Sequence, residues 1–120
     1  MSSSTACRSL AAVGAAILAA VLTAAPVGAR SDATTVRVTE KDFTIKVSAR
    51  SVGHGAVMFQ VRNVGSVPHD FKIAGKSTPT LKTGKTAMLM VRFAKAGRYP
   101  FSCSLAGHAA MGMKGVLIVS

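Results

Sequence analysis

Near the C-terminal end, Cys103-Ser-Leu-Ala-Gly-His108-Ala-Ala-Met111-Gly-Met113 places a thiol, an imidazole and two thioethers within eleven residues. A second imidazole, His69, stands 34 residues before Cys103, in Asn63-Val-Gly-Ser-Val-Pro-His69-Asp70-Phe71. Two imidazoles, one thiolate and one weak thioether are the donor set of a mononuclear copper site that passes single electrons. The order along the chain suits such a site, since one tight turn can supply three ligands while the fold brings up the fourth. Either Met111 or Met113 could be the thioether.

The elements that must position these groups have a period of two. Val36 and Val38 alternate with Arg37, and Phe43, Ile45 and Val47 with Thr44 and Lys46. Val57, Phe59 and Val61 share one face, as do Ala87, Leu89, Val91 and Phe93. Phe71 and Ile73, then Tyr99, Phe101 and Cys103, continue the alternation, and residues 116–119 form an apolar run. Seven short runs of this kind, punctuated by Gly, Pro, Ser and Asn, predict an antiparallel β-sandwich. In such a fold Cys103 ends one strand. His69 opens another, over residues 69–73, lying beside it.

Residues 1–29 have a different composition. A polar start containing Arg8 leads into an apolar run of sixteen residues, 10–25, and then Pro26-Val-Gly-Ala29. That is the pattern of a secretory signal peptide with small residues at its cleavage site. The run falls short of the ~20 apolar residues that span a bilayer. Cleavage after Ala29 is therefore expected, leaving one domain over residues 30–120 in the periplasm or outside the cell. Only an uncleaved leader would tie it to a membrane. Cys7 departs with the leader, so Cys103 is the single thiol of the expected mature chain and has no partner for an internal disulfide.

Over residues 36–119 the chain resembles the cupredoxin (plastocyanin/azurin-like) family. The likeness is strongest in Tyr99-Pro-Phe-Ser-Cys103, His108 and Met113-Lys-Gly115-Val-Leu-Ile-Val119. It implies a Greek-key sandwich holding one type 1 copper ion through His69, Cys103, His108 and Met113. It also implies a one-electron carrier cycling between Cu(II) and Cu(I), without enzymatic activity of its own. The family spacing, with Gly112 before and Lys114-Gly115 after, favours Met113 over Met111 as the axial ligand. The ring edge of the loop histidine is the family's usual port for the electron. Here His108 is flanked by Leu105, Ala106, Ala109, Ala110 and Met111, none of them charged. The chain departs from the family at Asp70, where many relatives carry an Asn that ties the two ligand segments together. An ionised carboxylate accepts but cannot donate, so that tie is expected to change.

Without Arg8, fourteen Lys and Arg face Asp32, Glu40, Asp42 and Asp70, a formal net charge of +10. A charge of this size favours encounter with acidic surfaces, so an acidic redox protein is the expected partner of a monomeric carrier. The basic residues are dispersed, and one Tyr with no Trp gives no sign of nucleic-acid binding. Multicopper catalysis would need more than the three histidines present, two of which are already assigned, with His54 in a Gly-flanked turn. The competing reading is a copper carrier or store without a dedicated redox partner. Met88-Leu-Met90 could offer two soft thioethers to Cu(I), although alternate methionines on a strand are expected to be packing.

Overall fold

The computed structural model describes residues 33–120, together with 14, 16 and 19–21. The expected leader and its cleavage point lie outside the described residues apart from those few. Among the described residues no helix is long and apolar enough to cross a membrane.

Nine strands form two facing sheets: β1 Thr34–Lys41, β2 Thr44–Val47, β3 Ser51–Val52, β4 Gly55–Asn63, β5 Lys72–Ile73, β6 Lys76–Ser77, β7 Thr86–Phe93, β8 Gly97–Ser102 and β9 Lys114–Val119. One sheet has the order β2-β1-β4-β7 and the other β3-β9-β8-β5-β6. The sandwich is as expected, but its sheets are mixed. β1 runs parallel to β4, and β3 parallel to β9, while the remaining strand pairs are antiparallel. The reason is the path of the chain. After the β1–β2 hairpin it crosses to the opposite sheet at β3 and returns as β4 on the free side of β1, by then running in the same direction. Alternation within a strand cannot reveal this, because side chains alternate equally in parallel and antiparallel ladders.

The alternating apolar positions meet between the sheets. Val36 and Val38 of β1, Val57, Phe59 and Val61 of β4, and Val91 and Phe93 of β7 are buried against Ile73, Phe101, Leu117 and Val119. Aromatic rings run through the middle. Phe59 lies 5.2 Å from Phe71, Phe71 lies 5.5 Å from Phe101, and Phe93 lies 4.7 Å from Tyr99 in an edge-on pairing. Offset and edge-on contacts of this kind add to the burial of the rings. Phe101 stands opposite Gly115 in the β8–β9 ladder, where a Cβ would come 2.7 Å from the ring's Cε2. The glycine thus leaves room for the ring just below the point where the chain leaves β8 for Cys103.

Two elements differ from expectation. Phe43 ends the alternation of β2 and sits in the two-residue turn Asp42-Phe43, with φ of +70°. The strand expected from His69 shrinks to Lys72–Ile73, paired with Ser102 and Phe101 of β8. His69 is instead held by an isolated bridge to Leu81, with backbone bonds of 2.7 and 3.1 Å in both directions. Pro68, which has no N–H to donate, precedes it.

Candidate metal centre

Cys103 follows β8 directly and is 1 % exposed. Its amide donates to the carbonyl of Met113 at 3.0 Å, which closes the neck of the loop. Within the loop, His108 N–H donates to Leu105 O at 3.1 Å and Met113 N–H to His108 O at 3.2 Å. Gly107 and Gly112 take φ of +82° and +115° there, conformations that side-chain-bearing residues rarely adopt. This folding turns the His108 ring back over the cysteine.

Three donor atoms converge. His69 Nδ1 and His108 Nδ1 are 3.1 Å apart, and Cys103 Sγ is 3.5 Å from His108 Nδ1. All three ligand atoms lie within 4.8 Å of one another. An ion with bonds of about 2.0–2.1 Å to nitrogen and 2.3 Å to sulfur spans such gaps. Two Nδ1 lone pairs aimed at each other repel unless a proton or a cation sits between them. The donor set, a soft thiolate with two imidazoles, fits copper. Met113 is fully buried at the neck of the loop, whereas Met111 is 54 % exposed on its outside.

Electrostatics around the thiol act in both directions. Burial pushes the Cys103 thiol above its ordinary value, and the amides of Asp70 and Leu105, which donate to the sulfur, pull it back. A bound cation would remove that proton outright.

Asp70 keeps the ligand segments tied. Its Oδ1 accepts the Ser104 amide at 2.6 Å, and its Oδ2 accepts the Ser104 hydroxyl. The tie is present, and it is made by donors on the other segment. Both donors belong to Ser104, so a group that only accepts is sufficient. The segment before His69 is fastened as tightly. Asn63 donates to Val67 O and to Leu81 O, both at 2.8 Å, and accepts from Gly65 N–H at 2.8 Å.

Two further residues at this pole belong to no donor motif of the sequence. Asp42 Oδ1 lies 2.9 Å from His69 Nε2, and the Phe43 ring stands edge-on to His108 at 5.3 Å and to His69 at 6.4 Å. A hairpin of strong alternation around a polar turn residue was the only available hint, and it placed Phe43 in the strand. His54 lies elsewhere. It is exposed at the start of β4, with its backbone N–H 2.8 Å and its Nδ1 3.1 Å from Ser120 O. The nine-residue strand β4 runs from just after His54 to Asn63, at the pole that holds His69, Cys103 and His108.

The chain matches the family model of the cupredoxin-like domain over residues 14–119. It belongs to that family. The cupredoxin domain is also 30 % identical, over 95 residues, to the copper-resistant cuproprotein CopI of Vibrio cholerae. That match takes in 62 % of this chain but only 53 % of the relative, so the domain spans about half the length of that curated protein. Among solved structures, reduced auracyanin from Roseiflexus castenholzii superposes with a TM-score of 0.63 at 17 % identity, covering 73 % of this chain and 98 % of the auracyanin. Auracyanin B gives 0.62 at 19 % identity, covering 73 % and 89 %. A multicopper oxidase gives 0.56 at 17 % identity and is covered over 44 % of its length. At these identities the cupredoxin domain shares their fold, and the match ends there.

Proposed function

We propose that this cupredoxin domain holds one copper ion through His69, Cys103, His108 and the axial Met113, and works as a one-electron carrier. The observation that carries the reading is the convergence of one buried thiol and two imidazoles on a single point, with the buried Met113 joined through its backbone to both Cys103 and His108. Copper would supply the Cu(II)/Cu(I) couple. The chain's part is to hold the donors still, through the Leu81 bridge, the Asn63 bonds, the Asp70–Ser104 tie and the closed neck of the loop. A site that cannot relax toward either oxidation state has little to rearrange when an electron arrives.

His108 is the only one of the three converging residues that is partly exposed, among Ala106, Gly107, Ala110 and Met111 at the surface. That uncharged patch is the proposed port, suited to the small interfaces of brief redox encounters. Export by the residue 1–29 leader and an acidic redox partner complete the reading. Catalysis is outside it. A multicopper site would need histidines beyond the two that converge, and the only other histidine of residues 33–120, His54, lies against Ser120.

Loading with Cu(II) is the test. Wild type should turn intensely blue with a narrow parallel hyperfine splitting in its paramagnetic resonance spectrum, and Cys103→Ser should bind without colour. A colourless wild-type complex would defeat the reading. A second reading, copper capture without a redox partner, is favoured by the name of the CopI relative. Metal that leaves readily to a chelator, with slow electron exchange, would support it instead.

A further inference from the structure

Asp42 sits in the two-residue turn between β1 and β2, 27 residues before His69 in the chain, yet its carboxylate reaches that ring. We propose that Asp42 is a positioning residue of the copper centre, which fixes the His69 ring as the Nε2–H tautomer and, by its negative charge, favours the more positive oxidation state. The inference rests on the copper reading for its second half only.

The first half follows from hydrogen-bond chemistry. An ionised carboxylate can only accept. With Asp42 Oδ1 at 2.9 Å, the proton of the neutral His69 ring must therefore lie on Nε2. That leaves the Nδ1 lone pair free, and Nδ1 is the atom facing His108 Nδ1 and Cys103. A partner on the far nitrogen both orients a ligating imidazole and makes it a stronger base. His69 is wholly buried, so no water competes for that proton.

The carboxylate is itself held. Its Oδ2 accepts the Ser66 amide at 2.8 Å and the Ser66 hydroxyl, and its Oδ1 also accepts the Val67 amide at 3.3 Å. With these donors and His69 on it, both carboxyl oxygens serve as acceptors and the group is fixed in place. Two backbone features make the approach possible. Phe43 adopts φ of +70°, which is strained for a bulky residue and typical of positions the surrounding structure over-determines. Gly65 faces the turn so closely that a Cβ there would lie 2.9 Å from Asp42 N. The turn and the loop before His69 thus close on each other, and what they bring together is one carboxylate and one ligand ring.

A purely structural role, stapling the turn to residues 66–67, makes different predictions. The measurement is the nitrogen-15 spectrum of the His69 ring in the metal-free full chain at pH 8, followed by the reduction potential of the copper-loaded protein. Wild type should show a protonated Nε2 and a bare Nδ1. Asp42→Asn keeps an acceptor oxygen but not the charge, so it should retain that tautomer. It should also bind Cu(II) about tenfold less tightly relative to Cu(I), which raises the potential by about 59 mV. Asp42→Ala should lose the tautomer preference and weaken copper binding by about 10–100-fold. If Asp42→Ala does not fold, Asp42→Asn still decides the charge effect. A wild-type ring protonated on Nδ1, or a folded Asp42→Asn with unchanged potential, overturns the proposal. A failure of wild type to turn blue would count against the copper reading, while the tautomer result would stand by itself.

Discussion

Cys103, His69 and Met113 have almost no exposed surface, whereas His108 is partly exposed and Met111 mostly so. That division assigns different work to two methionines only two positions apart. Met113 is anchored by its own amide and carbonyl to His108 and Cys103 and is fully buried, which is why it is the proposed axial ligand. Met113→Leu should keep a blue or greenish site and raise its potential, because a thioether that helps set the potential has gone. Met111→Leu should leave both spectrum and potential where they were. Voltammetry of the two variants checks the assignment, and the reverse pattern would move the axial bond to Met111. At the same scale, Leu105→Asp and Ala110→Asp should slow electron exchange with an acidic partner in stopped-flow while leaving the copper spectrum unchanged. Equal rates for wild type and both variants would place the port away from His108.

At the scale of strands, the two faces of the first sheet behave differently. The inner face carries the core, while the outer face shows Met88 at 57 % and Met90 at 46 % exposure, with Met58 directly across from Met90. The expectation that these methionines are packing is therefore corrected. Ala87, Leu89, Val91 and Phe93 take the inward register of β7, and the alternate positions must face out. Met88→Thr and Met90→Thr should each change stability by less than about 0.5 kcal/mol, as surface substitutions usually do. Gly115→Ala should behave oppositely. Its methyl would collide with the Phe101 ring, and overpacking of this kind costs about 1–3 kcal/mol. Because that ring lies one pair below the end of β8, the cost should be accompanied by a change in the copper spectrum. Denaturant titration beside absorption of the loaded protein tests both statements.

For the whole molecule, one buried group stands out. Glu40 continues the inward register of Val36 and Val38, is fully buried, and has neither carboxyl oxygen hydrogen-bonded. Burial, with a smaller push from the Asp70 carboxylate, raises it from an ordinary 4.5 to about 7. The folded state therefore holds a proton that the unfolded chain gives up first. Stability should fall as pH rises from about 4.5 to 7 and level off above that. The loss amounts to about 3 kcal/mol at most, taking ~1.4 kcal/mol per unit. Glu40→Gln should flatten the slope and be more stable than wild type at pH 8. Denaturation midpoints of both proteins across that range decide it, and a slope unchanged by the substitution would point to other groups. The net charge of +11 on the full chain acts over longer distances. Association with an acidic partner should slow as salt rises, because the screening length is about 8 Å at 0.15 M.

Spacing and residue type, read from the sequence, name Cys103, His108 and His69 as candidate donors, because a metal site demands particular donor atoms, and the fold brings those three together. Alternation gave the strands for a similar reason, since a two-faced ribbon must repeat every two residues to bury one side. Neither kind of information says which ribbons lie side by side. The parallel pairing of β1 with β4, the shortening of the His69 strand to a single bridge, and the outward face of Met88 and Met90 depend on how the chain crosses between sheets. Asp42 was invisible for the same reason. It is 27 residues from His69, and its bond to that ring exists only because a strained turn and a bare glycine let two distant loops close on each other. Donor chemistry is a property of residues and could be read in order, whereas the contacts that orient and tune those donors are made through space, and only the folded chain brings them within reach.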